Sequence, residues 1–447
     1  MTERERRAGG RVRLVVLNHD GGGLLERCFD ALGAVDWPTD ELELVLVDNA
    51  SSDGSVEAVV ESHPEVRVIQ SPTNTGFPAN NLALGDLGGV RYVGLVNNDA
   101  FVDPGWVRAM VDALDADVGL GAATGRLIFA PRFVDLQVDG SGVRISGLRV
   151  DGVDRWRGAQ VVGAASGPDP DDRGGVSYES ADATTVRVPL EVGPNDDEGA
   201  TDEVELVVEV RLDGPEPRRV SLDGGRGART VEVGTTSAWF EVPVAGRPYD
   251  VVNNAGGVVF DDGYGADRGY LEADAGQFDE PAEVFSWCGG GVLLRPSYLQ
   301  QVGLFEETFF LYYEDTDLSW RGRAAGWRYE YVPGAIARHV HSASSGVGSA
   351  LFMHYTERNR LLMLVRNAPW PMVLRAILRF VLVTASYRWR STNAGSTLTA
   401  RRRLGALAQF GRMLPAAMGQ RRRLRRRQTV PDPEIARWLT RRDPGER

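Results

Sequence analysis

Lysine is absent: all 50 basic residues among the 447 are arginine, which reads first as the codon bias of a GC-rich genome. Cysteine is nearly absent too. Cys28 and Cys288 alone exclude a disulfide framework and fit a reducing compartment. No run of 18 apolar residues occurs, so no transmembrane helix is expected. The first ten residues are polar and charged, so no signal peptide is expected. Neither a G-x-G-x-x-G nor a Walker signature occurs, which argues against dinucleotide and P-loop sites. What is present is ordinary: 43% hydrophobic and 25% charged residues exclude wholesale disorder and a fibre. The length suggests two or three domains.

Charge is unevenly spread. The formal net charge is −12, yet Trp370–Arg447 carries 18 arginines against four acids. The other 369 residues therefore hold −26. An acidic body with a basic tail points the tail at an anionic partner. Met372–Ala385 is strongly apolar, with Arg375 and Arg379 four apart, and the Arg401–Arg403, Arg421–Arg423 and Arg425–Arg427 runs follow. This reads either as an interfacial amphipathic helix with a polybasic flank, facing an anionic membrane surface, or as a core helix with a solvated tail. Nucleic acid is disfavoured, because the bases sit in one tail of an acidic protein.

The chain divides by pattern. Residues 11–133 alternate strand and helix, with strands expected at Arg11–Leu17, Leu42–Val47, Val66–Ile69 and Tyr92–Val96 and helices at Leu24–Leu32 and Ser55–Ser62. A further helix is expected to start at Asp103-Pro104, with Asp as cap. Such alternation implies a parallel α/β sheet, whose ligands bind beyond the strands' carboxyl ends. Residues 134–250 lose the helical period and show short alternating runs between turn signals, an inserted all-β module. Residues 251–369 return to the α/β pattern, and 370–447 form the tail.

Three strands end in polar clusters, Asn18-His19-Asp20, Asp48-Asn49 and Asn97-Asn98-Asp99, which argues for one site. Asp99 reads as a ligand for a divalent cation bridging a diphosphate, or as a turn residue. Asp53 and Ser55 read as helix caps. Asp48 can accept from the imide of a pyrimidine base. Asn80, in Thr73–Asn81, reads as a cap or as part of a nucleotide-sugar lining. Glu314-Asp315-Thr316-Asp317 follows the aromatic run Phe309–Tyr313. It reads as dipole-favoured acids at a helix start or as a general base in an aromatic cleft. His339 and His341, two apart, face opposite ways on an extended chain, so at most one is a ligand.

Taken in order, these motifs resemble a family 2 glycosyltransferase of the GT-A fold, of the bacterial rhamnosyltransferase and galactofuranosyltransferase type. The resemblance is carried by V-V-L-N-H-D, V-D-N-A-S-S-D-G-S, N-T-G-F-P-A-N-N, Y-V-G-L-V-N-N-D-A, C-G-G-G-V-L-L-R-P, E-T-F-F-L-Y-Y-E-D-T-D-L-S-W-R and R-H-V-H-S. It covers about 11–133 and 253–367. It implies inverting transfer of a sugar, rhamnose from dTDP-rhamnose first, from a nucleotide-diphosphate donor to a cell-envelope or lipid-linked glycan. UDP-galactofuranose, UDP-N-acetylglucosamine, or a non-catalytic glycan-binding role are the alternatives. Asp315, beside Glu314, matches the catalytic base. Asp99 with His339 or His341 matches the Mg²⁺ or Mn²⁺ ligands. Asn18, Asp48, Asn49, Asp53, Asn80 and Asn98 are the expected donor contacts, and Trp287, Asp317 and Trp320 the acceptor contacts. A cytoplasmic protein peripheral to the inner membrane face is implied. Two departures stand out: the metal motif, N-N-D, has one acid, and residues 134–250 lie outside the family pattern.

Overall fold

The computed structural model describes residues 10–170, 176–191, 202–340, 350–389 and 394–442. His341 and Arg390 lie outside these. The chain divides into two compact units, one of Met1–Ile128 with Val252–Arg447 and one of Phe129–Val251.

In the first unit the apolar runs form one mixed sheet. Its strands lie in the order Ala282–Glu283, Arg328–His339, Leu120–Phe129, Gly291–Leu294, Val90–Asn97, Arg11–Asn18, Leu42–Asp48, Arg67–Gln70. Arg11–Asn18 pairs in parallel with both Leu42–Asp48 and Val90–Asn97, and Leu42–Asp48 with Arg67–Gln70. Gly291–Leu294 runs antiparallel to its neighbours. The register sets Asn18 beside Asp48 and Leu17 beside Asn97, so the three polar clusters end level. Central strands buried on both faces read as continuous Val/Leu runs, as these do.

Helices cover both faces. Gly23–Gly33 and Trp106–Ala116 bury Leu25, Phe29, Met110 and Leu114 on one side. Tyr298, Leu299 and Leu318 pack on the other. Each such side chain contributes about 1.5–3 kcal/mol of transfer free energy. The helix expected at Asp103-Pro104 starts later, at Trp106. The Asp103 N–H donates to the Ile336 carbonyl at 3.0 Å, which ties it to the sheet and leaves Asp103–Gly105 as a turn.

Trp370–Trp389 and Ala394–Arg427 pack with Ala350–Asn367 around Leu361, Val365, Val373, Phe380 and Phe410. Arg403 pairs with Glu357, and Arg421 donates to the Val365 and Ala368 carbonyls at 2.8 and 2.7 Å. Those carbonyls end a helix and lack intrahelical partners, which is why an arginine is useful there. By length and composition Trp370–Tyr387 could also cross a membrane, with mean hydropathy 1.2.

Among its described residues the second unit consists of strands with one 3₁₀ turn, Trp156–Gly158. One antiparallel sheet is ordered Gln160–Val162, Thr184–Leu190, Arg132–Asp139, Arg218–Asp223, Arg229–Val233. The other is ordered Ser166–Pro170, Val176–Glu179, Arg144–Val150, Val204–Asp213, Ala238–Gly246. Val138, Leu148, Val188, Val210, Leu222 and Val242 share a core of valines and leucines.

Candidate functional site

At the level ends of the parallel strands, the side chains first hold one another. Asn18, fully buried, donates from Nδ2 to the Ser51 and Ser55 hydroxyls at 3.0 Å each and accepts from Asn98 Nδ2 at 2.8 Å. Asn49 donates to Asn74 Oδ1 and the Gly76 carbonyl and accepts from the Thr75 N–H. Asp48 accepts from the Ser51 N–H at 2.9 Å. Asp53, exposed, accepts from Gly22 N–H, Ser55 N–H and Ser55 Oγ. Desolvation pushes its carboxyl up, but the Ser55 and Gly22 donors outweigh it and hold it below the ordinary value. Asn80 is buried and donates to the Phe77 carbonyl. Asn18, Asn49, Asp53 and Asn80 thus shape the rim by fixing its loops.

One rim loop is tied to the opposite lip. Gly76 has φ +73°, and a Cβ there would lie 2.0 Å from the Phe310 carbonyl oxygen. Only glycine allows the approach, across which Phe77 N–H donates to Phe310 O at 2.7 Å.

Phe310, Tyr312 and Tyr313 all have positive φ, 63°, 69° and 70°. Bulky residues rarely adopt this region, and such strain gathers at functional sites. It is held from behind. Asn359 Nδ2 lies 2.8 Å from the carbonyls of Phe309, Leu311 and Tyr312, and Arg358 donates to those of Thr308 and Phe309.

The strained loop delivers helix Glu314–Ala324. Asp315 accepts from Thr316 N–H at 2.6 Å, Thr316 Oγ1 at 3.1 Å and Gly289 N–H at 3.4 Å. Burial pushes its carboxyl above the ordinary range despite these donors. Glu314 is 6% exposed, and its Oε2 has no partner among the described residues. Burial first, then the neighbouring Asp315 charge, drive it well up. Asp317 behaves oppositely: it is fully buried between Arg321 and Arg366 and accepts from Asn367. Burial alone would raise it, but the two guanidiniums hold it below the ordinary range. Trp287 and Trp320, each 1% exposed, pack against Phe305 and Phe285. The three expected acceptor contacts are therefore interior side chains in this structure.

Segment Cys288–Gly291 joins the two carboxylate regions. Gly289 N–H meets Asp315, and the Gly290 carbonyl accepts from Asn97 N–H at 3.2 Å. Beyond Asn97, Asp99 Oδ1 lies 3.0 Å from His339 Nε2, both residues being buried. His339 Nδ1 faces Asn253 Oδ1 at 2.9 Å. The ring is thus held between an amide on one nitrogen and the Asp99 carboxylate on the other. Asn97 Nδ2, where a two-acid motif would have its first carboxylate, is 3.3 Å from the same Nε2. An imidazole nitrogen and a carboxylate oxygen converging this way fit a Mg²⁺ or Mn²⁺ ion completed by substrate oxygens. Among the described residues no group of three His, Cys, Asp or Glu is placed to hold a metal. His341 lies outside the described residues.

Three participants had no strong signal in the sequence. Asn253 and Asn254 lie on the short strand Val252–Asn254. Asn253 orients His339, and Asn254 donates to Asp267 at 2.5 Å. Asp267 ends Gly265–Asp267, paired with Gly257–Val259. The Asn-Asn dipeptide, echoing Asn97-Asn98, was the one available hint.

Residues 14–133 match the family Glycosyl transferase family 2. N-acetylglucosaminyl-diphospho-decaprenol L-rhamnosyltransferase of Mycobacterium tuberculosis, in two strains, is 38% identical over 112 residues. That match takes in 24% of this chain and spans about a third, 36%, of the relative. Among solved structures, GalNAc-T7 with UDP, GalNAc and Mn²⁺ aligns at TM-score 0.46 and 11% identity over 89% of this chain and 55% of that one. The mannosyltransferase PcManGT from Pyrobaculum calidifontis, with GDP-Man and Mn²⁺, aligns at 0.40 and 13% over 94% and 87%. The family match falls on the strands that end in the three polar clusters, so residues 14–133 are similar to a family 2 glycosyl transferase domain.

Proposed function

We propose that the protein is an inverting glycosyltransferase that moves a sugar from a nucleoside-diphosphate donor to a hydroxyl of a cell-envelope or lipid-linked glycan. The observation that carries this reading is the meeting of two unlike groups around Cys288–Gly291 beside a family 2 domain. One is a carboxylate raised by burial, Asp315; the other is the Asp99–His339 pair. The acceptor oxygen attacks the anomeric carbon from the Asp315 side, and its proton passes to that carboxylate. The bond from carbon to the diphosphate oxygen breaks on the opposite face, so configuration inverts. A base near its working pH is efficient, which burial of Asp315 favours. Asp99 and His339 are the residues to hold a divalent cation, which when bound neutralises charge developing on the diphosphate. Asp48 is the candidate for the nucleobase.

For the donor, dTDP-rhamnose is proposed first, because the curated relative is a rhamnosyltransferase. UDP-galactofuranose and UDP-N-acetylglucosamine are the competitors. Thermal-shift binding of these donors with UDP-glucose and GDP-mannose, with and without Mn²⁺, tests the reading. A ligand of the native state raises the melting point. A metal-dependent shift with one donor supports the reading and names the sugar. No shift with any donor overturns it in favour of a glycan-binding protein.

We further propose that the chain rests on an anionic membrane surface. Trp370, Leu374, Leu378, Val381 and Leu382 are 42–62% exposed, and their spacing puts them along one helical stripe. Val373, Ala376 and Phe380 on the other side are buried in the helical core. A helix with one face committed to protein lies in the interface rather than crossing it. Arg375, Arg401, Arg412, Arg422, Arg423, Arg426 and Arg427 are exposed on these helices and suit anionic headgroups.

A further inference from the structure

The strand Val252–Asn254 pairs with Leu127–Ile128 through a register shift between Val252 and Asn254. In a regular strand, successive side chains point to opposite faces. A bulge breaks that alternation, and bulges beside active sites re-aim side chains. Here Asn253 holds His339, on the diphosphate side, while Asn254 holds Asp267.

Asp267 is fixed on the base side as well. Gly265 N–H, two residues earlier, donates to the Tyr313 hydroxyl at 3.0 Å. A Cβ on Gly265 would lie 3.8 Å from Thr316 Oγ1, the hydroxyl that donates to Asp315. The facing strand is anchored by Gly257 N–H, which donates to the Ser286 carbonyl at 2.7 Å, just before Trp287–Gly289. Asp267 thus lies on a segment tied on one side to Asn254, the neighbour of the residue that holds His339, and on the other to Tyr313, which precedes Glu314-Asp315.

The side chain is open to solvent. One oxygen accepts from Asn254, and no cation pairs with it among the described residues. The adjacent Arg268 turns away, donating to the Ala255 carbonyl and stacking over Phe278 and Tyr331. A carboxylate so placed repels a diphosphate and welcomes a hydroxyl donor, and a charge-assisted hydroxyl contact is strong. The group that must lie between an attacked carbon's base and its leaving diphosphate is the sugar itself.

We propose that Asp267, held by Asn254 on the bulge, accepts a hydrogen bond from a hydroxyl of the donor sugar and so helps decide which sugar the cleft takes. This rests on the glycosyltransferase reading above.

Titration calorimetry without acceptor, in Mn²⁺, tests it with four probes: dTDP, dTDP-rhamnose, UDP and UDP-N-acetylglucosamine. The proteins are the full chain and its Asp267→Ala and Asp267→Asn variants. The expected result is a loss of about tenfold or more for one sugar nucleotide in Asp267→Ala, with its free nucleotide unchanged within about twofold. Asp267→Asn, which keeps an acceptor oxygen, loses less. The assignment is overturned if nucleotide and sugar nucleotide weaken together, which would make Asp267 a metal or diphosphate residue. It is equally overturned if neither weakens. If the unaltered chain binds none of the four, the glycosyltransferase reading falls too, so the two failures are told apart.

Discussion

The strand-end cleft and the helical layer behind it both bury carboxylates, and they treat them in opposite ways. In the helical layer each acid meets arginine: Asp317 meets Arg321 and Arg366, and Glu357 meets Arg360 and Arg403. In the cleft, Glu314 and Asp315 have no arginine partner among the described residues and are both pushed upward. Asp315 and Asp317 sit two residues apart on one helix, yet one is raised and the other lowered. Position in sequence does not separate them. The presence of a cation does.

The largest test of that contrast is Asp315→Asn. It should cut turnover by about 10²–10⁴-fold while sparing donor binding. Unreduced kcat in a folded, donor-binding variant would end the base assignment. In the unaltered protein, kcat/KM should climb with pH through a value above the usual carboxylate range, because the base works only when ionised.

Next comes Asp317→Ala, which strands two buried guanidiniums. It should cost about 3–5 kcal/mol in urea unfolding. A loss below about 1 kcal/mol would show the pair to be a surface-like contact. The sign with pH follows from the lowered Asp317 carboxyl. Its contribution is present above the unfolded value, about 3.9, and drains away as pH falls through the lower folded value.

Third is the exposed stripe. Replacing Leu374, Leu378 and Leu382 together with serine should weaken binding to phosphatidylglycerol vesicles by about a hundredfold, with the melting point little changed. Adding salt should weaken the unaltered protein's binding. Unchanged sedimentation with vesicles would remove the membrane proposal.

The smallest effect has the opposite sign. A raised acid binds its proton more tightly when folded, so Asp315 subtracts stability once pH passes its unfolded value. Asp315→Asn should therefore stabilise the protein at neutral pH by about 0.5–2 kcal/mol. Calorimetric scanning showing a lowered melting point would mean that Asp315 is structurally paired.

The main sheet was legible because its strands are apolar runs cut off by polar clusters. Arg11–Asn18, Leu42–Asp48 and Val90–Asn97 lie within two residues of expectation. Asp99 and Asp315 stood out for the same reason, as acids where periodicity breaks. The role of Asp317 could not be read locally, since Arg366 reaches it from 49 residues away. Asn253, Asn254 and Asp267 lie on strands of three residues, too short to show any period. The arginine runs read as one basic tail because composition does not say which side of a helix faces the core. Arg403 and Arg421 are buried, while Arg422 and Arg423 are exposed.

The second unit leaves the sheet and returns at one place. Ile128 pairs with Val252, and Phe129 N–H donates to the Val251 carbonyl at 2.9 Å. The excursion therefore starts and ends on paired strands. The host strands are already closed at the junction, so lengthening the excursion adds only slowly to the entropy of closure. The sheet that residues 129–251 depart from therefore sets little limit on how long that excursion is.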